Sequence, residues 1–128
     1  MPVPEAPPAP SPTELAHAEL RALEAPAEEA DAAAVERFYI ALAEIVRRYA
    51  TRAFGVDAVV HTTPELVAVV PRGGDPLREC LFACDLVKFA ADRPVAAAHE
   101  KARARARSFV DADGAPRANA ESPVGAAS

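Results

Sequence analysis

The residues best suited to chemistry are two cysteines and three histidines. Cys80 and Cys84 lie four residues apart in a helical pattern, where their side chains are too separated and too parallel for an easy disulfide. A zinc site would need a second close-spaced pair of ligands, and the sequence offers none. We therefore predict reduced packing thiols, with a thiol or metal enzyme as the alternative. The histidines available to such a site are His17, His61 and His99.

Asp85 is an acidic residue within a strongly apolar helical segment, beyond the first turn of that segment. A buried carboxylate without a partner is costly. We predict a structural ion pair for this residue, and a role in recognition is the alternative. The candidate cations are three arginines of a long preceding helix and a lysine one turn away, namely Arg47, Arg48, Arg52 and Lys88.

Four basic residues, Lys101, Arg103, Arg105 and Arg107, alternate along the last helical segment. At 100° per residue they fall on both flanks of the apolar stripe, where their alkyl stems can cover the core. Solvated flanks are the favoured interpretation, and docking onto an acidic partner or onto nucleic acid is the alternative. Ile40 lies opposite the main stripe of the long helix. It is either covered by the first or fifth helix, or exposed as an anchor for a partner.

No motif in the chain predicts an enzyme. Gly73 and Gly74 form too short a glycine run for a phosphate-binding loop, since no Lys-Ser or Lys-Thr follows them. Asp111 and Asp113 lie at a helix end that leads into the tail, and no nucleophile elbow is present. We therefore predict no catalytic residue, no cofactor and no metal.

The composition limits both the core and the class of partner. The chain has 128 residues, a net charge of −5 and 32 alanines, so much of its 51% hydrophobic content adds little buried area. The acidic balance argues against general affinity for nucleic acid or anionic lipid. No apolar run is long enough for a membrane span, and no secretory signal is visible. These features predict one small cytoplasmic domain.

Hydrophobic periodicity predicts an all-α bundle of about five helices. The strongest pattern is an apolar stripe over Val35 to Phe54, which Gly55 terminates. Capping signals at 11–14 and 62–65 mark two other helix starts. The fourth helix is apolar on nearly all faces, so we expect it to be buried between the others. The predicted helices cover 12–25, 35–54, 63–70, 76–91 and 94–112.

The remaining segments complete the predicted organisation. A short extended connection, with room for one β-bridge, covers 56–60. A disordered Pro-rich lead-in covers 1–12, where six of the thirteen prolines lie. The helical domain covers 13–112, and a disordered polar tail covers 113–128.

Several short motifs also follow one another in a distinctive order. They are Phe38-Tyr39, Arg47-Arg48-Tyr49, Phe54-Gly55, Thr-Thr-Pro-Glu-Leu at 62–66, Asp-Leu-Val-Lys-Phe-Ala at 85–90 and a final Phe109-Val110. In this order the chain resembles the DUF4381 domain over about 14–112. It is also similar to the cytoplasmic helical segment that closes BatD-like, aerotolerance-related proteins.

The resemblance implies a non-enzymatic accessory or scaffold domain in a bacterial envelope system of a MoxR-type AAA+ ATPase and von Willebrand factor A (VWA) proteins. It implies a protein partner, either the ATPase or a VWA-domain protein. The family usually carries a transmembrane helix before this domain, whereas a Pro-rich segment stands here. We therefore expect a cytoplasmic location, if necessary at the inner face of the inner membrane through a partner or an anchor. The alternative is a small nucleic-acid-binding regulator that uses the Arg-rich last helix.

Overall fold

A computed structural model of the protein describes residues 10–27, 31–90, 94 and 96–114. Within these ranges the chain is all-α, with five helices and no strand, which confirms the predicted fold class. The helices are α1 (Pro12–Ala22), α2 (Ala32–Phe54), α3 (Thr63–Val69), α4 (Gly74–Ala90) and α5 (Ala96–Gly114).

Side-chain caps set the starts of the first three helices. Ser11 caps α1 and Thr62 caps α3, and each forms the predicted capping box with the glutamate three residues on. Asp31 caps α2 by accepting a hydrogen bond from the backbone N–H of Ala34 at 2.8 Å. Since this cap lies ahead of the apolar stripe, α2 begins three residues earlier than the periodicity predicted.

The connection between α2 and α3 corrects the predicted extended segment. Gly55 ends α2 in the left-handed conformation at φ 72°, and a 3-10 turn follows at Ala58–Val60. The side-chain hydroxyl of Thr51 accepts a hydrogen bond from the Ala58 N–H at 3.3 Å, which holds the turn against α2. A local turn thus satisfies the backbone groups for which a β-bridge was predicted.

The predicted boundaries differ from the observed ones by a few residues. α1 ends at Ala22 rather than at 25, and α4 begins at Gly74 rather than at 76. α5 extends to Gly114, so the helix includes the first two residues of the predicted tail. Of the disordered lead-in predicted for 1–12, the structure describes only 10–12, where Ser11 caps α1 and Pro12 begins it; positions 1–9 and 115–128 lie outside the described residues.

α2 is the centre of the bundle, because it packs against α1, α4 and α5. Its predicted apolar stripe is buried along the whole length of the helix. α1 contributes Ala16 and Leu20 as predicted, with Leu23 partly buried beside them. The buried stripe of α2 consists of Val35, Phe38, Tyr39, Leu42, Ile45, Val46 and Tyr49.

α4 is buried on one side only, which corrects the expectation that it is enclosed by other helices. Its inward positions are fully packed, but Phe82 and Phe89 remain 60% and 78% exposed. An apolar helix can leave one stripe in water where no neighbour covers that side. The buried positions of α4 are Leu77, Cys80, Leu81, Cys84 and Val87.

Three aromatic rings close the end of the bundle at which α2 terminates. The Tyr49 ring lies edge-on to Phe109 and to Phe54, with centroid distances of 5.4 and 6.0 Å. The Tyr49 hydroxyl donates a hydrogen bond to the Val110 carbonyl at 3.3 Å. The backbone of Gly73, at φ 72°, packs against Phe109. A Cβ on Gly73 would lie 2.9 Å from Cδ1 of Phe109.

Gly73→Ala should therefore destabilise the protein more than Gly55→Ala. Both glycines have φ 72°, and an alanine in this conformation costs about 1–2 kcal/mol. A Cβ at Gly55 meets nothing within 4 Å, whereas at Gly73 it overpacks Phe109, which adds roughly 1–3 kcal/mol. Urea unfolding of both variants measures the difference, and equal losses would contradict the packing at Gly73.

Candidate interaction surface

Asp85 lies on α4 facing α3 and is half-buried. Its carboxylate accepts a hydrogen bond from the Thr63 hydroxyl at 2.8 Å. None of the four predicted cations forms an ion pair with it in the described part of the chain. The predicted ion pair is therefore wrong, because a hydroxyl at the first residue of α3 supplies the polar contact instead.

Arg47 forms hydrogen bonds with backbone carbonyls rather than with a carboxylate. Its guanidinium donates hydrogen bonds to the carbonyls of Ala58 at 2.6 Å and His61 at 2.8 Å. These carbonyls lie in and just after the 3-10 turn, and the Ala58 carbonyl also accepts a hydrogen bond from the His61 N–H at 3.4 Å. Arg47 thus fastens the connection between α2 and α3 onto α2.

The other predicted partners of Asp85 face elsewhere. Arg48 and Arg52 lie 3.5 and 3.7 Å from the carboxylate of Glu19, so they join α2 to α1. Arg48 is also 3.9 Å from Glu44, one turn away. The Lys88 ammonium lies 5.1 Å from the centre of the Phe89 ring, in a cation–π geometry.

Arg103 is a buried residue, which corrects both its predicted place on a solvated flank and the alternative of a partner-binding cation. It is 8% exposed, and its guanidinium donates to the carbonyls of Leu20 and Leu23 at the C-terminal end of α1. It also lies 3.2 Å from Glu100 and 5.7 Å from the centre of the Phe38 ring. A cation at this position satisfies helix-terminal carbonyls and opposes the negative end of the helix dipole.

The remaining basic residues of α5 do not form one surface. Arg105 forms an ion pair with Glu79 of α4, which ties the two helices together at their rim. Lys101 and Arg107 are exposed, as predicted for solvated flanks. Since Arg103 is buried and Arg105 is paired, the Arg-rich helix has no continuous basic stripe.

Ile40 is neither fully covered nor fully exposed. It is half-buried on α2, and it does not belong to the apolar cluster of the core. Neither predicted alternative, full coverage or full exposure, describes Ile40. A single half-buried isoleucine makes a poor anchor for a partner.

The cysteines and histidines are distributed among separate environments. Cys80 and Cys84 are buried free thiols; a hydrogen bond to Cys84, and then burial, raise the pKa of Cys80 well above its usual value. His17 binds Asp111 at 2.8 Å, and the His61 ring donates to the Asp57 carbonyl at 2.8 Å. In the residues that the structure describes, no three histidine, cysteine or acidic side chains are grouped as metal ligands.

His99 is buried between α5 and α2, a position that the sequence did not reveal. It is 2% exposed, and its Nδ1 is 2.9 Å from the Tyr39 hydroxyl. The Phe38 ring packs beside it, with 5.5 Å between ring centres. Burial lowers the pKa of His99 from 6.5, and nearby Glu100 opposes this shift in part.

In the described part of the chain, the exposed side of α4 carries two large aromatic side chains that remain in water. Phe82 and Phe89 lie seven residues apart, so they share one stripe of the helix. The charged residues Arg78, Asp85 and Lys88 flank the two rings. We call these five residues the α4 surface. The spacing of Phe82 and Phe89 was visible in the sequence, but the apolar pattern gave no indication of which side of α4 would stay uncovered.

Shallow grooves border the α4 surface on the side of α3. One of about 450 Å³ is lined by Pro64 and Val67 of α3 together with Phe82 and Asp85. The next, of about 510 Å³, joins Phe89 to exposed Val59 and to polar residues at the start of α3. An apolar ring beside a groove with charged edges resembles the centre and rim of a protein–protein interface.

No protein-family model, curated protein or solved structure matches this chain. The resemblance to DUF4381 and BatD-like proteins accordingly stays a prediction from motif order. None of the helices in the described ranges has the length and apolar character needed to cross a lipid bilayer.

Arg103→Met should destabilise the fold by about 2 kcal/mol, because it leaves the end carbonyls of α1 buried without their charged donor. Arg107→Met on the same helix removes an exposed side chain and should change stability by less than about 0.5 kcal/mol. Urea unfolding compares the two variants. Similar losses would show that the contact of Arg103 with α1 contributes nothing specific.

Stability should also depend on pH through His99. Because its pKa is lowered in the folded protein, the unfolded chain binds the proton more readily. The contribution of His99 is constant above about pH 6.5, falls as pH drops below that value and levels off below the folded-state pKa. Measuring the free energy of unfolding of the wild type and of His99→Gln between pH 7.5 and 5 isolates the contribution of His99. Parallel pH profiles for the two proteins would contradict the prediction.

Proposed function

We propose that this protein is a non-enzymatic helical interaction domain that docks a protein partner through the α4 surface. The observation that carries this proposal is the exposure of Phe82 and Phe89 on one stripe of α4. Two large aromatic side chains in water, rimmed by charges, are typical of a docking site rather than of an ordinary solvated helix.

The energetics favour docking at this place. Removing an exposed phenylalanine from water is worth about 1.5–3 kcal/mol, so the two rings together supply the core of a modest interface. Asp85 and Lys88 beside the rings add charge complementarity, which improves selection of the partner more than raw affinity. The rigid helical bundle presents these groups without a large ordering cost.

The reactive residue types are occupied in ways that fit an interaction role. The thiols of Cys80 and Cys84 are buried, and the raised pKa of Cys80 makes it a poor nucleophile at neutral pH. His99 is engaged by Tyr39 inside the core. The alternative of a nucleic-acid regulator needs a continuous basic face on α5, and the burial of Arg103 removes its centre.

The partner and setting that we propose follow from the sequence resemblance. The domain acts as an accessory or scaffold in a MoxR-type AAA+ ATPase and VWA-protein system, on the cytoplasmic side of the bacterial inner membrane. The α4 surface, rather than Ile40 or the basic residues of α5, is the contact with the ATPase or the VWA protein.

A capture experiment with a MoxR-type ATPase and a VWA-domain protein from the source organism tests the proposal. Phe82→Ser with Phe89→Ser should lower capture at least about 10-fold, since losing a buried aromatic anchor costs about 2 kcal/mol or more. Val69→Ser is the matched control, because Val69 is an exposed residue on α3, at 45%, outside the α4 surface.

Thermal unfolding must show that the double variant is folded, which we expect because both rings are exposed. Undiminished capture by a folded double variant would rule out the α4 surface. Failure of the wild-type protein to capture either the ATPase or the VWA protein would count against the proposed system.

A further inference from the structure

Four residues of the α4 surface follow the spacing of a helix-pairing seam. Arg78, Phe82, Asp85 and Phe89 are separated by four, three and four residues, which places them on one line along α4. We call this line the α4 seam. Arg78 is exposed, Phe82 and Phe89 are mostly exposed, and Asp85 is half-buried. Such a line is where one helix contacts another along its length.

The α4 seam carries charges of opposite sign at different positions along the helix. Arg78 lies toward the N-terminal end of α4 and Asp85 lies two turns closer to the C-terminal end. Arg78 currently pairs with Asp75 at 2.9 Å on the same helix, and both side chains are exposed. An exposed pair of this kind contributes little, so Arg78 is free to exchange it for another carboxylate. A helix that complements the seam must therefore present an acid to Arg78 and a base to Asp85.

We propose that the seam of a second copy of this chain meets that requirement, and that the protein self-associates through antiparallel α4 helices. A two-fold axis between Leu81 and Phe82 places Arg78 of each copy opposite Asp85 of the other. The two Phe82 rings then meet at the axis. Each Phe89 lies one helical turn beyond this ion pair, where the long side chain of the other copy's Arg78 can reach its ring for a cation–π contact. Parallel pairing would instead place like charges together.

This inference rests on the proposed function in one respect, that the α4 surface is a docking surface. Its consequence is regulatory, because self-association covers the residues that a different partner would contact. Dissociation of the pair must then precede docking, and a high concentration of this protein would reduce capture of its partner.

The area of the seam predicts a weak pair. The exposed parts of the two rings amount to roughly 280 Å² per copy, well under the ~800 Å² per partner of a stable interface. We therefore expect a dissociation constant of about 10–100 μM and rapid exchange.

Sedimentation equilibrium of the full chain up to about 500 μM tests self-association. The average mass of the wild-type protein should rise toward the dimer mass with concentration, and Phe89→Ser should weaken the dimer at least about 10-fold. Arg107→Glu is the control for a change of charge elsewhere and should leave the dimer unaltered. A wild-type protein that stays monomeric at 500 μM, or a Phe89→Ser variant that dimerises equally, would overturn the inference.

Charge reversal tests the antiparallel arrangement itself. Arg78→Glu places two acids together at each contact, and Asp85→Arg places two bases together, so each variant alone should be monomeric. Mixed, the two variants form only attractive contacts, and the heterodimer should approach the wild-type affinity. Dimerisation of either variant alone, or no recovery on mixing two folded variants, would exclude this geometry.

These experiments distinguish a failure of self-association from a failure of the proposed function. Asp85→Arg also removes the Thr63 hydrogen bond, so its melting temperature is measured first. If it does not fold, Arg78→Glu and Phe89→Ser decide the question. A monomeric protein that still captures its partner through Phe82 and Phe89 refutes only self-association, whereas a dimer that captures nothing refutes only the proposed system.

Discussion

The hydrogen bonds from Arg103 to the end of α1 fix the N-terminal helix on the bundle. α1 has only eleven residues, too few for a stable helix in isolation. Only two of its side chains, Ala16 and Leu20, are buried. The guanidinium on its last carbonyls, together with the His17–Asp111 pair at 2.8 Å, joins α1 to α5 at two points. Without these contacts the apolar stripe of α2 would lose its cover on this side.

The same chemistry recurs at the connection between α2 and α3. Arg47 and Arg103 each donate hydrogen bonds to two backbone carbonyls, and Arg103 also pairs with the carboxylate of Glu100. Both cations therefore supply charged donors to carbonyls at or next to the ends of helical segments. In a core rich in alanine, the apolar contacts alone leave short segments loosely held, and polar side chains supply the missing attachment.

Most of the helices could be predicted because their signals are local. The stripe of α2, the capping boxes at Ser11 and Thr62, and the stop at Gly55 each depend on residues within a few positions. The roles of Arg103, His99 and Asp85 depend on residues 22 to 83 positions away in the sequence. Charge and spacing alone could not reveal those contacts, so the predicted ion pair of Asp85 and the predicted solvated position of Arg103 were both wrong.

The exposure of one side of α4 also could not be predicted from the sequence. Hydrophobic pattern measures how much of a helix is apolar, whereas exposure depends on how many neighbours the bundle provides. α2 and α5 cover two sides of α4 and α3 is too short to cover a third, so Phe82 and Phe89 stay in water. Lys88 shields one ring only through an exposed cation–π contact, worth about 0.5–1 kcal/mol. A partner surface that buries the ring outcompetes so weak a contact, which makes α4 the side of the bundle where association costs least.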